Sequence, residues 1–159
     1  MANVKPIPEG SHSLTAGLVI KGAQKAIDYY KNAFGAQVLG VSYMPDGKSV
    51  MHAELKIGDT KFYLGDEMPE MGALSPQTLG GSPVSLNLYV ENCDATYNRA
   101  VAAGAKGNMP PADMFWGDRY GKLTDPFGHN WGIATHIEDV TKEEMDRRAI
   151  EWMAAMAKK

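Results

Sequence analysis

The sequence predicts an α+β fold made of two like halves, each running strand, helix, strands, with one more helix towards the C-terminal end. Three observations predict it. The order of elements repeats: residues 18–36 (LVIKGAQKAIDYYKNAFGA) and 88–105 (LYVENCDATYNRAVAAGA) both open on a short alternating apolar run, pass into a helical period and close on Gly-Ala. Leu18, Ile20 and Ala26 fall opposite Leu88, Val90 and Thr96 at an offset of 70, and Gly58 falls opposite Gly128. The apolar spacing alternates between strand-like and helix-like in step with that order. Finally, 159 residues with 44% hydrophobic side chains can bury a core unaided, and the single cysteine, Cys93, excludes an intrachain disulfide and a cysteine-based zinc cluster.

In the first half, residues 13–20 alternate as a strand. A helix over 23–33 sets Ala26, Ile27, Tyr30 and Phe34 on one face, and Gly35 suits its C-terminal cap. Residues 38–43 form a strand, PDGK (45–48) a turn, and 50–57 with 60–65 a hairpin closed at Gly58-Asp59. In the second half, 84–90 is a strand, 93–103 a helix capped by Gly104, 106–109 a short strand and PPADM (110–114) a loop. Residues 115–125 and 130–136 are a strand pair joined by DPFGH. There Asp125 can accept local backbone N–H groups, Pro126 fixes φ and Gly128 permits a positive φ. Residues 67–83 are a linker with two Pro–Gly clusters. Its Met68, Met71, Leu74 and Leu79 pin it to the surface, or make it a lid or a subunit contact. The last helix spans 142–157. Thr141 caps it, with Glu144 completing a capping box, and Met145, Ala149, Trp152, Met153 and Met156 share one side, facing the core or another subunit. The organisation is one domain over 13–138 (module one 13–66, linker 67–83, module two 84–138), then a C-terminal helix segment over 139–159.

The formal net charge is −3, from 16 basic and 19 acidic residues spread along the chain. With no Lys/Arg stripe, nucleic acid is not an expected partner. No run of apolar residues is long enough for a membrane span, and the start, MANVKPIPEGSHS, lacks the apolar core of a secretory signal. A cytoplasmic setting is the expectation, with His12 exposed in a loosely held arm.

Two stretches, AIDYYKNAFGA and WGDRYGKLTDPFGHNWGIATH, on this repeated strand–helix–strand order, resemble the vicinal oxygen chelate superfamily, which includes glyoxalase I, bleomycin- and fosfomycin-resistance proteins and extradiol dioxygenases. They look most like its PhnB-like branch. The resemblance covers residues 13–138. It implies paired βαβββ modules forming a curled mixed sheet around a cleft, and commonly a homodimer, in some members with a cleft built from modules of two chains. Metal-dependent members place a His, Gln or Glu ligand on the first and last strand of each module. Those positions fall here on Thr15, Tyr63 (Phe62 if the register slips), Ser85 and Gly132. None is a normal ligand for a divalent ion, so no metal and no cofactor are expected.

Strand parity gives the cleft its lining. Met51, Ala53, Leu55 and Ile57 should pack on the helices, leaving His52 and Glu54 to face the cleft; Phe62 and Leu64 pack, leaving Tyr63. Val84, Leu86, Leu88 and Val90 pack, leaving Ser85, Asn87 and Tyr89; Trp131 and Ile133 pack, while Gly132 leaves space. His52 and Glu54, two apart on one face, could share an ion or a proton, bind a ligand, or sit solvated. Trp116 and Phe115 could stack on a ligand or seal the rim, and Arg119 pairs with a carboxylate or, through a bulge, meets an anion. His129 holds the turn, Trp131 is core, and His136 lies at a rim. Cys93 opens a helix, where a thiolate could form, but sits on an apolar side as a packed residue. There is no G-x-S-x-G elbow, phosphate loop or dinucleotide fingerprint. The expected function is the binding of a small planar or anionic molecule in the cleft without metal. The alternative is a lyase, isomerase or dioxygenase-type enzyme using His52 and Glu54 in a rebuilt ligand set.

Overall fold

The computed structural model describes residues 4–157; the first three residues of the predicted arm and the last two of the predicted C-terminal segment lie outside the described residues. The chain folds as β1 (Gly17–Ile20), α1 (Ala23–Phe34), β2 (Gln37–Tyr43), β3 (Val50–Ile57), β4 (Thr60–Asp66), a 3₁₀ turn (Pro69–Met71) and α2 (Pro76–Leu79). There follow β5 (Ser85–Tyr89), α3 (Cys93–Ala102), β6 (Lys106–Asp113), β7 (Asp118–Thr124), β8 (Asn130–His136) and α4 (Lys142–Met156). Two four-stranded mixed sheets result, β1-β4-β3-β2 and β5-β8-β7-β6, each with one parallel pair and otherwise antiparallel. This is the βαβββ module twice, as the repeat predicts. The chain divides into two compact units, residues 1–83 with 126–129, and 84–125 with 130–159.

In the first unit, Leu18 and Ile20 of β1, and Ala53, Leu55, Phe62 and Leu64 of the hairpin, are buried beneath the apolar stripe of α1. Tyr30 of α1 is fully buried, edge-on to Phe62 with ring centroids 5.7 Å apart, and Phe127 of the DPFGH turn packs edge-on to Tyr29 at 6.0 Å. Full burial of such side chains stabilises by roughly 1.5–3 kcal/mol each. No side chain of its own caps the start of α1. Instead Asp66, at the end of β4, accepts the N–H groups of Gly22 (3.0 Å) and Ala23 (2.8 Å) on one oxygen and that of Val50 (2.7 Å) on the other. One carboxylate thereby fixes the first turn of a helix and the first residue of a strand.

In the second unit, α3 covers one face of the sheet. Asn92 caps it by accepting Ala95 N–H at 2.9 Å, and Cys93, Tyr97 and Ala100 pack with Leu123, Trp131 and Ile133. Cys93 is a core residue: its thiol donates to Ile133 carbonyl at 3.1 Å, and burial pushes its pKa up. Trp131 is buried, its Nε1–H donating to the buried Asp125 at 2.9 Å.

Several local expectations are corrected. β1 starts at Gly17, where pairing with Tyr63 begins, so Thr15 precedes the strand. Met51 does not pack inward: the β2–β3 register shifts between Ser42↔His52 and Tyr43↔Val50, and Met51, left unpaired at this bulge, is 50% exposed. PPADM is no loop down to Asp113, because β6 runs through both prolines. β6 is an edge strand, and its register shifts between Met109 and Ala112, where missing N–H donors are tolerated. Residues 115–117 lie outside β7 in a turn closed by Gly117 N–H on Met114 carbonyl (3.1 Å); Gly117 has φ +95°, and a Cβ there would overlap Glu138 carbonyl. The linker carries the 3₁₀ turn and α2. Ile57 is only half-buried and Val84 is exposed. Thr141 does cap α4 through Glu144 N–H (3.3 Å), but the Glu144 carboxylate turns to Arg147 and Arg148, leaving the capping box half made. None of the described residues of α4 is buried.

Candidate functional site

The face of the second sheet turned away from α3 is built by strand alternation. Along β7, Arg119, Gly121 and Leu123 point to the helix side, while Asp118, Tyr120 and Lys122 point the other way. Cross-strand partners extend that face: Asp118 pairs with His136, Tyr120 with Ala134 and Lys122 with Gly132, while β8 pairs with β5 so that Asn87 lies opposite Gly132. On this face is a cavity of about 510 Å³. Tyr89, Trp116, Tyr120 and Phe115 supply aromatic walls, Met109 and Met114 soften one side, and Trp152 reaches in from α4.

The floor is organised by Asp118, which is 4% exposed. Its Oδ2 accepts Tyr89 O–H at 2.8 Å and Trp116 Nε1–H at 3.0 Å; its Oδ1 faces His136 Nδ1 at 2.9 Å. Burial alone would raise the carboxyl pKa, but the hydrogen bonds from His136, Tyr89 and Trp116 outweigh it and hold the group below its ordinary value. His136 also faces Asp139 (3.0 Å), and these two acidic partners, Asp139 first, raise its pKa. Tyr89 is held above its usual pKa, first by its bond to Asp118, and Tyr120 by burial, so both remain phenols at neutral pH. The rings brace one another: Trp116 sits edge-on to Tyr120 (5.6 Å) and to Phe115 (5.0 Å), and Phe115 meets Trp152 at 5.6 Å.

Of the residues singled out from the sequence, Asn87, Tyr89, Phe115 and Trp116 line this cavity. Ser85 is on β5 but outside the lining. Arg119 is on the opposite side, its guanidinium held by Asp94 of α3 in a two-pronged pair and by Asp113 at 2.8 Å, so that each of its three nitrogens already meets a carboxylate. The space that Gly132 is expected to leave is filled. A Cβ there would overlap Asn87 Oδ1 and the Tyr120 hydroxyl, which bond each other at 3.3 Å across the glycine. In the first unit, His52 and Tyr63 do come together, ring centroids 5.0 Å apart, beside a cavity of about 270 Å³. Glu54 does not join them; it pairs with Lys61 at 2.9 Å, and Thr15 lies half-buried ahead of β1. His129 bonds the Val19 carbonyl at 3.1 Å, so it anchors the DPFGH turn to β1. Sequence pattern does not single out Asp118, Tyr120 and Lys122 as site residues, although the alternation in DRYGK places them on one face.

The glyoxalase/bleomycin resistance protein/dioxygenase superfamily model matches residues 12–133. The chain belongs to this superfamily. An uncharacterised protein of Mycobacterium bovis is 40% identical over 146 residues, covering 90% of this chain and 91% of the relative. The structure of an Arabidopsis thaliana gene product aligns with a TM-score of 0.63 at 29% identity, covering 77% of this chain and 98% of that one. A PhnB protein from Bacillus cereus aligns with a TM-score of 0.61 at 19% identity over 78% of this chain and 99% of that one, a likeness of fold alone.

Superfamily membership raises the divalent ion of the metal-dependent members. The residues present do not fit it. Of the positions the resemblance assigns, Tyr63 and Ser85 carry no ordinary ligand for such an ion, Thr15 lies ahead of β1 rather than on it, and at Gly132 the volume a ligand side chain needs is taken by Asn87 and Tyr120. Among the described residues, no group of three or more His, Cys, Asp or Glu side chains is placed to hold a metal. Among the same residues, no helix is long and apolar enough to cross a membrane.

Proposed function

We propose that this superfamily member binds a small planar molecule on the open face of its second module and does so without the superfamily's metal. The observation that carries the reading is the Asp118 node. A buried carboxylate holds the hydroxyl of Tyr89 and the indole N–H of Trp116 at once, and so fixes two aromatic walls of a cavity of about 510 Å³ before any ligand arrives. Rings immobilised beforehand cost less ordering on binding, and flat faces suit a flat ligand. Within the superfamily we place the chain near the PhnB-like branch, on AIDYYKNAFGA and the motif ending in DPFGHNWGIATH. A homodimer belongs to the same reading: the strand faces carry exposed Val38, Leu39 and Tyr43 that a second subunit would cover.

The neutral two-ring probe 2-naphthamide tests the site. In a two-dimensional NMR titration, shifts should cluster on the Trp116 Nε1–H, Tyr89 and Tyr120, and Trp116→Ala should weaken binding about tenfold. Shifts that map instead to His52 and Tyr63 would move the site to the first module and revive the catalytic alternative there.

A further inference from the structure

We propose that the ligand of this cavity is a planar anion, its ring stacked against Trp116 and Tyr120 and its negative group met by Lys122; this rests on the cavity being the binding site for a planar molecule. Two charged side chains line the cavity, and they stand at opposite ends of one strand face. Asp118, Tyr120 and Lys122 alternate along β7, so Asp118 and Lys122 lie about 13 Å apart with the Tyr120 ring between them. The two charges are not equivalent. Asp118 has both oxygens engaged by three groups, Tyr89, Trp116 and His136, and is almost wholly buried. A cationic ligand would have to displace a donor to reach it. The aromatic walls and a carboxylate thus look like a cage for a cation, but the carboxylate is already committed to holding the cage together.

Lys122 is the reverse case. It is exposed, it has no ion-pair partner among the described residues, and its cross-strand neighbours, Met109 and Gly132, carry no charge. Its Nζ lies 6.0 Å from the centre of the Tyr120 ring, so the ammonium is held over the aromatic wall. A flat ring resting on the same wall brings a carboxylate or enolate edge to that ammonium. The ligand class that satisfies both features is a planar aromatic or conjugated anion.

Three probes of one shape and different charge decide it: 2-naphthoate (−1), 2-naphthamide (0) and 2-naphthylmethylammonium (+1), titrated calorimetrically into the full chain. The expected order of affinity is anion, amide, cation, with the anion about fivefold tighter than the amide, as a single rim charge allows. Lys122→Met should bring anion and amide to parity, read as the ratio of the two affinities within the variant, and Lys122→Arg should restore the order. Trp116→Ala should weaken all three by one common factor. Equal affinities, or the cation tightest, would overturn the anion class and leave the planar-ligand reading standing. An anion preference that survives in Lys122→Met would overturn the role of Lys122. Failure of all three to bind at millimolar concentration would overturn both readings.

Discussion

His136 sits between two carboxylates, Asp118 at 2.9 Å and Asp139 at 3.0 Å, and the sign of its contribution follows from that. Its folded pKa is raised above 6.5, so the stability it lends is fully present below about pH 6.5 and is lost as pH rises through the raised value. Asp118 has a folded pKa below 3.8; its contribution is present above about pH 4 and is lost as pH falls through the lowered value. The pair is therefore at full strength from about pH 4 to about pH 6.5. Urea midpoints measured across pH 5–9 should fall above about 6.5 in the wild type, and His136→Asn should flatten that limb; an unchanged slope in the variant would assign the effect to another group. The residues of this node are unequally legible in the sequence. Tyr89 is readable because VSLNLYV alternates cleanly. Asp118 is not, because the apolar pattern carries the strand back to residue 115, and only the turn at Gly117 shows that β7 begins at the aspartate. Arg119 is readable only as a choice between a carboxylate partner and an anion, because its partners Asp94 and Asp113 lie on other elements.

The element that sequence pattern describes least well is α4. Its boundaries and its Thr141 cap follow from local chemistry, as does the salt-bridge ladder in which Arg147 and then Arg148 hold Glu144 down to about 2. Its packing does not follow. A Met/Trp stripe at helical spacing ordinarily docks on a core, yet here Met153 and Met156 are both more than half exposed. What ties the helix to its module is narrow: Arg148 bonds both oxygens of Glu138 at 2.8 Å, and Trp152 meets Phe115. α4 thus roofs the aromatic cavity through one residue. Trp152→Ala should weaken 2-naphthamide binding about threefold to tenfold, with a change in melting temperature of only a few degrees, because a half-exposed ring contributes little to folding while closing one side of the site. A large loss of stability with unchanged affinity would make the helix a structural brace. The extent of β6 is hidden for a similar reason. Pro110-Pro111 argues against a strand only where N–H donors are needed, and position in a sheet is not visible from one segment.

At the scale of the whole chain, the duplication is legible because each copy must present the same alternation of periods to bury a helix on a sheet; what each copy does with its other face is not constrained by burial, and there the two have diverged. In the first module the open face pairs Glu54 with Lys61 and sets His52 against Tyr63; in the second it builds an aromatic cavity on a buried aspartate. Among the described residues neither face groups three or more His, Cys, Asp or Glu side chains so as to hold a metal, and that yields a prediction for the intact protein. A resident ion binding at a hundred times its dissociation constant would add about 2.7 kcal/mol of stability. For a chain of this size that corresponds to a rise in melting temperature of roughly 5–10 °C. Protein purified without chelators should contain far less than one equivalent of Zn, Ni, Mn or Fe by elemental analysis, and adding each ion at about 100 μM should move the melting temperature by less than about 1 °C, a stabilisation too small for a built site. A stoichiometric ion whose removal lowers the melting temperature, and whose retention fails in His52→Ala, would instead mean that the first module has rebuilt a metal site around His52, and the enzyme reading would displace the binding one.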